Sequence, residues 1–128
     1  MVSPEPGADG QAVRRCVRPL LGIPLSGAIM QYLNLGHEYL WIDSAKKGYG
    51  LAPAGGYGIL TLTQLFVPGK IEIEAAQAGT CSEVTDNPCR EKKILDIVER
   101  EQNKKQIYDL INYNCYNWAQ DIEAEGLK

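Results

Sequence analysis

The alternation of apolar and polar residues divides the chain into a strand-rich middle and a helical last third. His37-Glu38-Tyr39-Leu40-Trp41-Ile42-Asp43 has the period of two of a strand, with His37, Tyr39 and Trp41 on one face and Leu40 and Ile42 on the other. The Ser44-Ala45-Lys46-Lys47-Gly48 turn predicts a hairpin with Tyr49-Gly50-Leu51-Ala52-Pro53 as the return strand. Residues 59–67 and 70–75 read as two more strands joined across Pro68-Gly69, the second alternating Ile71 and Ile73 with Glu72 and Glu74, a solvated acidic face. Upstream, Pro19 and Pro24 exclude a regular helix and leave a short strand around Arg15-Cys16-Val17, while residues 27–35 read as a helical turn or a loop.

From Asn87 the period changes. Asn87 caps, Pro88 takes the first helical position, and Ile94, Leu95 and Val98 form one apolar stripe through about Glu101. Ile107, Leu110 and Ile111 predict a second, short helical piece over residues 106–111. Asn114 then caps a third helix, in which Cys115, Trp118, Ala119 and Ile122 follow the i, i+3, i+4, i+7 spacing and which stops at Gly126. Strands followed by helices give an α+β domain, a small antiparallel sheet packed against C-terminal helices. Residues 1–13, rich in Pro and Gly, read as a flexible lead or linker, and 14–128 as the domain.

Composition narrows the function. The 128 residues suit one core, and a net charge of −3 with no dense Lys/Arg patch gives no footprint for nucleic acid. No apolar run approaches the roughly 20 residues of a transmembrane helix. The acidic, Pro/Gly-rich start is wrong for a signal peptide, which leaves a cytosolic protein, export without a cleavable signal, or one domain of a longer chain. Gly55-Gly56-Tyr57-Gly58 lacks the Gly-Lys-Ser/Thr ending of a phosphate cradle and reads as a turn.

Cys16, Cys81, Cys89 and Cys115 have no zinc spacing, and the chain has one histidine, so no metal or other cofactor is predicted. Cys81 and Cys89 flank the turn-rich segment 82–88 and could close a disulfide; one of them could instead reach Cys16, or all could stay reduced and buried.

Cys115 carries the candidate chemistry. At a helix start, free amides and the positive end of the dipole favour a thiolate. A histidine on the sheet beneath, His37, would hold the proton that the thiol loses, and the helix amide at Cys115 could serve an oxyanion hole.

Asn114-Cys115-x-x-Trp118 after a strand that starts with His37, together with Gly48-Tyr49-Gly50-Leu51-Ala52-Pro53, resembles the circularly permuted papain-like fold: the NlpC-type peptidase superfamily, in its lecithin retinol acyltransferase-like branch. The resemblance implies Cys115 as nucleophile and His37 as general base. The third polar residue, which in the family orients the imidazole from the return strand, falls at about Gly50, where glycine cannot do it. Tyr49, Asp43 and Gln64 are substitutes, as is a backbone carbonyl or water. The Cys-x-Arg-Pro-Leu segment from Cys16 also looks like domains at the ends of bacterial polymorphic and type VI secretion toxins.

These likenesses imply a thiol hydrolase or acyltransferase working through an acyl-enzyme. It would act as an antibacterial effector in a target-cell periplasm or at its membrane, cytoplasmic before export, with an immunity protein as a partner. Phospholipid acyl esters are favoured as substrate, with Tyr32, Tyr57 and Tyr116 suited to a lipid-contacting rim. The alternatives are a peptidoglycan amidase or endopeptidase, and a catalytically silent binding domain.

Overall fold

The hairpin predicted at Ile42 nucleates the sheet. In the computed structural model, which describes residues 12–18, 36–56, 66–109 and 113–128, strand β2 (His37–Ile42) turns through Asp43–Lys46 into β3 (Lys47–Pro53). Lys46 takes the left-handed conformation at φ 54°, and its amide donates to the Asp43 carbonyl at 3.2 Å. β1 (Val13–Arg18) pairs along the other edge of β2, placing Arg18 opposite His37. β5 (Thr80–Thr85) lies outside β1 and is bonded to it by the Cys16–Cys81 disulfide. With β4 (Phe66–Glu74) on β3 and β6 (Gln106–Asp109) on β4, the order is β5-β1-β2-β3-β4-β6, every pair antiparallel.

Two helices, α1 (Pro88–Gln102) and α2 (Cys115–Gly126), pack over this sheet. Their stripes, Ile94, Ile97 and Val98 on α1 and Trp118, Ala119 and Ile122 on α2, close one core with Leu40, Ile42, Tyr49, Leu51 and Val67. Trp118 is its largest fully buried side chain, and truncating such a group to alanine costs about 3–5 kcal/mol. The helices approach closely at Gly126, where a β-carbon would come within 2.3 Å of Ile94 Cγ1. Cys16, Tyr39, Trp41 and Cys81 form a separate cluster on the other side of the sheet, in keeping with the period of two along β2.

The α+β class and the sheet packed against C-terminal helices are as the pattern predicts, but three local expectations are corrected. Pro68-Gly69 is not a turn between strands; both lie inside β4. The last β3–β4 pair is Pro53 with Gly69, so the missing proline N–H falls past the end of that ladder, while the Pro68 carbonyl accepts from Ala54 N at 2.8 Å. Residues 106–109 form an edge strand instead of a helical turn, because Tyr108 reaches the core from β4's flank. The segment after Cys81, expected to be turn-rich, begins within β5. The expectations for residues 19–35 and 57–65, including Tyr32, Tyr57 and Gln64, and for the lead up to residue 11 lie outside the described residues; Val13, placed in the lead, is buried in β1. Among the described residues no helix is long and apolar enough to cross a membrane.

Candidate active site

Asn114 caps α2 as its sequence suggests. Its side chain accepts from Tyr116 N at 3.0 Å and Asn117 N at 3.4 Å, and Asn117 Oδ1 accepts from Asn114 N at 3.0 Å, closing a capping box. This fixes Cys115 as the first helical residue, and the apolar stripe behind it presses the helix start onto β2.

There the sulfur meets the main chain. Glu38 N donates to Cys115 Sγ at 3.3 Å, and the thiol donates to Gly36 O at 3.5 Å. These two groups flank His37 and point the same way out of the strand, toward the side where β3 would continue the ladder. The β2–β3 pairing ends at Leu40 with Tyr49, so the sulfur stands beyond the last pair of that ladder.

Sequence reasoning expects the helix start to favour a thiolate. Burial overrides it: Cys115 is 1% exposed, and its thiol is pushed up to about 11. Desolvation is the largest cause and the Glu38 carboxylate adds to it, against the amides of Glu38, Tyr116 and Cys115. Glu38 is itself buried beside the Arg15–Glu123 ion pair, and burial raises its carboxyl to about 7, with Glu123 adding and Arg15 opposing. Its Oε2 has no hydrogen-bond partner among the described residues.

The imidazole keeps different company. His37 is fully buried and stacks on Tyr39 with ring centroids 5.9 Å apart. Its Nε2 lies 3.4 Å from Glu74 Oε1 and 3.8 Å from Glu72 Oε1. Arg18 ties the same carboxylates, with Nε 2.8 Å and Nη2 2.7 Å from Glu74 Oε1, and Nη2 3.3 Å from Glu72. Burial, and then the Arg18 cation, lower the imidazole to about 3, so it is neutral at physiological pH.

Two glycines make this cluster possible. Gly48 and Gly50 of β3 pair with Glu74 and Glu72 of β4, and a β-carbon would come 2.5 Å from the Tyr39 ring at Gly48 and 3.1 Å from His37 Cε1 at Gly50. The bare strip of β3 leaves room for the β4 carboxylates to cross to β1 and β2. Glu72 and Glu74 are therefore not the solvated face that their alternation suggests.

The sulfur of Cys115 thus rests on the β2 main chain beside His37, while the imidazole projects with Tyr39 to the face of the sheet away from the helices, and no hydrogen bond joins sulfur and ring. Of the residues offered in place of Gly50, Tyr49 packs in the helix-side core and Asp43 Oδ1 accepts from Trp41 Nε1 at 2.9 Å. Glu72, Glu74, Arg18 and Glu38 are the site residues that sequence reasoning misses. The one signal for them is a pair of glycines in register with a pair of glutamates, and register is not readable from one strand.

His37, Glu72 and Glu74 each offer a ligand atom within 4.8 Å of the others. Arg18 already pairs with both carboxylates, so a divalent cation would enter against a fixed positive charge. Of the remaining cysteines, Cys16 and Cys81 are bridged and Cys89 is an exposed free thiol. Comparison with protein families, with characterised proteins and with solved structures finds no match to this chain.

Proposed function

We propose that this protein is a cysteine-dependent hydrolase or acyltransferase that works through an acyl-enzyme thioester, with phospholipid acyl esters as the favoured substrate and an antibacterial effector as the role. The carrying observation is the sulfur of Cys115 seated at the start of a capped helix, against the two peptide groups that flank His37. Thiol and imidazole are both neutral near pH 7, so the chemistry is general-base catalysis and not a preformed ion pair. In this reading the S–H proton passes, as Sγ attacks the ester carbon, to His37, whose ring leaves β2 on the face away from α2 and must reach the sulfur past the end of the β2–β3 ladder. The C–O bond breaks, the leaving alcohol takes that proton, and a thioester remains on Cys115. Water, deprotonated by His37, then releases the fatty acid and restores the thiol. Amides at Glu38, Cys115 and Tyr116 face the sulfur and are suited to the developing oxyanion. The same steps on an amide carbon would cut a peptidoglycan cross-link.

The Cys16–Cys81 disulfide fits an oxidising compartment such as a periplasm, and Tyr116, 42% exposed one residue from the nucleophile, fits a lipid-contacting rim. A second reading, a silent binding domain, is favoured by the burial of Cys115 and by the placement of the His37 ring near the β4 carboxylates, on the sheet face away from α2.

Incubation with phospholipid vesicles and, separately, with purified peptidoglycan decides between them. Fatty acid release that falls at least ~10³-fold in Cys115→Ala and in His37→Ala supports the lipase reading. Muropeptide release with the same dependence moves the substrate to the cell wall. If the folded protein cleaves neither, the binding-domain reading stands.

A further inference from the structure

We propose that Glu38 is a catalytic residue of the Cys115 site, a second acceptor for the thiol proton that lies on the sulfur's own face of the sheet. This rests on the hydrolase reading and changes one step of it: the proton gains a carrier that need not come round the end of the β2–β3 ladder.

The period of two along β2 puts Glu38 with Leu40 and Ile42 on the face that the helices cover, and His37 with Tyr39 and Trp41 on the other. The β1–β2 register agrees. Arg15, opposite Leu40, reaches α2 at Glu123, whereas Cys16, opposite Tyr39, and Arg18, opposite His37, turn to the far side. Cys115 opens α2, so its sulfur and the Glu38 carboxylate share the layer between helix and sheet.

Glu38 also touches the nucleophile already. Its amide donates to Sγ at 3.3 Å, which holds the start of its side chain beside the sulfur, and the carboxylate charge acts on the thiol. In this state the thiol donates to Gly36 O; rotation about Cβ–Sγ redirects its hydrogen, and catalytic hydrogen bonds tighten once substrate is bound. The carboxylate has an oxygen to spare. Glu38 is 4% exposed, yet Oε2 has no hydrogen-bond partner among the described residues, and a buried polar atom left unpaired marks a catalytic or ligand-binding role. The charged and titratable groups that face it are Arg15 from β1 and Glu123 and Cys115 from α2. Burial holds its carboxyl at about 7, the range in which a general base works near neutral pH.

As Sγ bonds to the ester carbon, the S–H proton moves to a Glu38 oxygen. The C–O bond then breaks, the leaving alkoxide takes that proton, and a carboxylate stands again beside the thioester. Water attacks the thioester carbon, and its proton returns through Glu38 to the departing sulfur. Val17, opposite Glu38 on β1, and Tyr116, beside Cys115, are both partly exposed, so the pair lies close to solvent.

Acylation by p-nitrophenyl acetate isolates removal of the thiol proton, because its leaving group needs none. Nitrophenolate release, with the acetyl group located on Cys115 by mass mapping, should rise with pH through about 7 as Glu38 ionises. Glu38→Gln, of the same size, should lose that rise and acylate roughly 10²-fold more slowly. The same variant should be alkylated faster by iodoacetamide, since the charge that raises the thiol is gone. A loosened site or a purely electrostatic role would move both rates the same way. Glu38→Asp keeps a carboxylate and should retain the rise at a reduced rate, which guards against a folding failure of Glu38→Gln.

Wild-type acylation in Glu38→Gln, or a rise through pH 7 that it keeps, overturns the proposal. A rate that falls in His37→Ala and not in Glu38→Gln returns the proton to His37 and overturns it as well. A wild-type protein that gains no acetyl group on Cys115 overturns the hydrolase reading itself and this proposal with it.

Discussion

The two helices start alike and place their cysteines in opposite circumstances. Asn87 caps α1, accepting from Cys89 N at 2.8 Å and Arg90 N at 3.2 Å, and Asn114 caps α2 in the same manner. Each helix thus offers a cysteine in its first turn the same amides and dipole. Cys89 is exposed, whereas Cys115 is pressed onto β2 and nearly sealed from solvent. At Cys115 the desolvation outweighs the helix terminus and Glu38 N–H together. A capped helix start is therefore a common feature, and what surrounds it decides whether the sulfur has any chemistry.

That contrast can be broken most directly by alkylation. The rise of the Cys115 thiol from 9.0 to about 11 leaves ~100-fold less thiolate near neutral pH than in the unfolded chain. Iodoacetamide followed by peptide mass mapping should label Cys89 first and Cys115 only in denaturant or toward pH 11. Equal labelling of both in the folded protein would erase the difference.

A smaller effect follows from Glu38, whose charge ranks below desolvation among the causes raising the thiol. Glu38→Gln should speed Cys115 labelling by less than that ~100-fold and leave Cys89 unchanged. It also carries a stability signature. The carboxyl is raised from 4.5 to about 7 on folding, so the unfolded chain loses its proton first and wild-type stability drops as pH rises from 4.5 through 7. His37 slopes the other way, because its lowered value makes stability fall as pH drops from 6.5 toward 3. Denaturant melts across pH 4 to 8 should show Glu38→Gln gaining stability over wild type toward the alkaline end. A parallel pair of curves would mean that Glu38 is solvated.

The caps give the smallest effect. Asn87→Ala and Asn114→Ala should each cost about 1 kcal/mol, with Asn114→Ala the larger because it also opens the capping box that seats Cys115. The comparison sharpens if only Asn114→Ala raises the labelling of its neighbouring cysteine.

Much of this was legible from local pattern. Two helix starts follow from Asn87-Pro88 and Asn114, the 42–47 hairpin from its strands, and the stripe of Cys115, Trp118, Ala119 and Ile122 from helical spacing. The failures share one cause. The local pattern suggests a turn at Pro68-Gly69, a helical piece at 106–109 and water-facing Glu72 and Glu74; in each case a neighbouring strand decides the outcome. The disulfide partner of Cys81 is likewise set by β1 lying beside β5, a pairing across a sequence separation of 65.

The sequence by itself determined the α+β class, the helix caps and the identity of Cys115 and His37 as candidate chemistry, because caps, periods and residue types act within a few residues along the chain. Only the tertiary structure decided that Cys115 is desolvated, that its sulfur lies at the His37 backbone, and that Glu74 and Arg18 reach the imidazole over Gly48 and Gly50. Those outcomes depend on register and burial, which are properties of strands and helices in contact and of none of them alone.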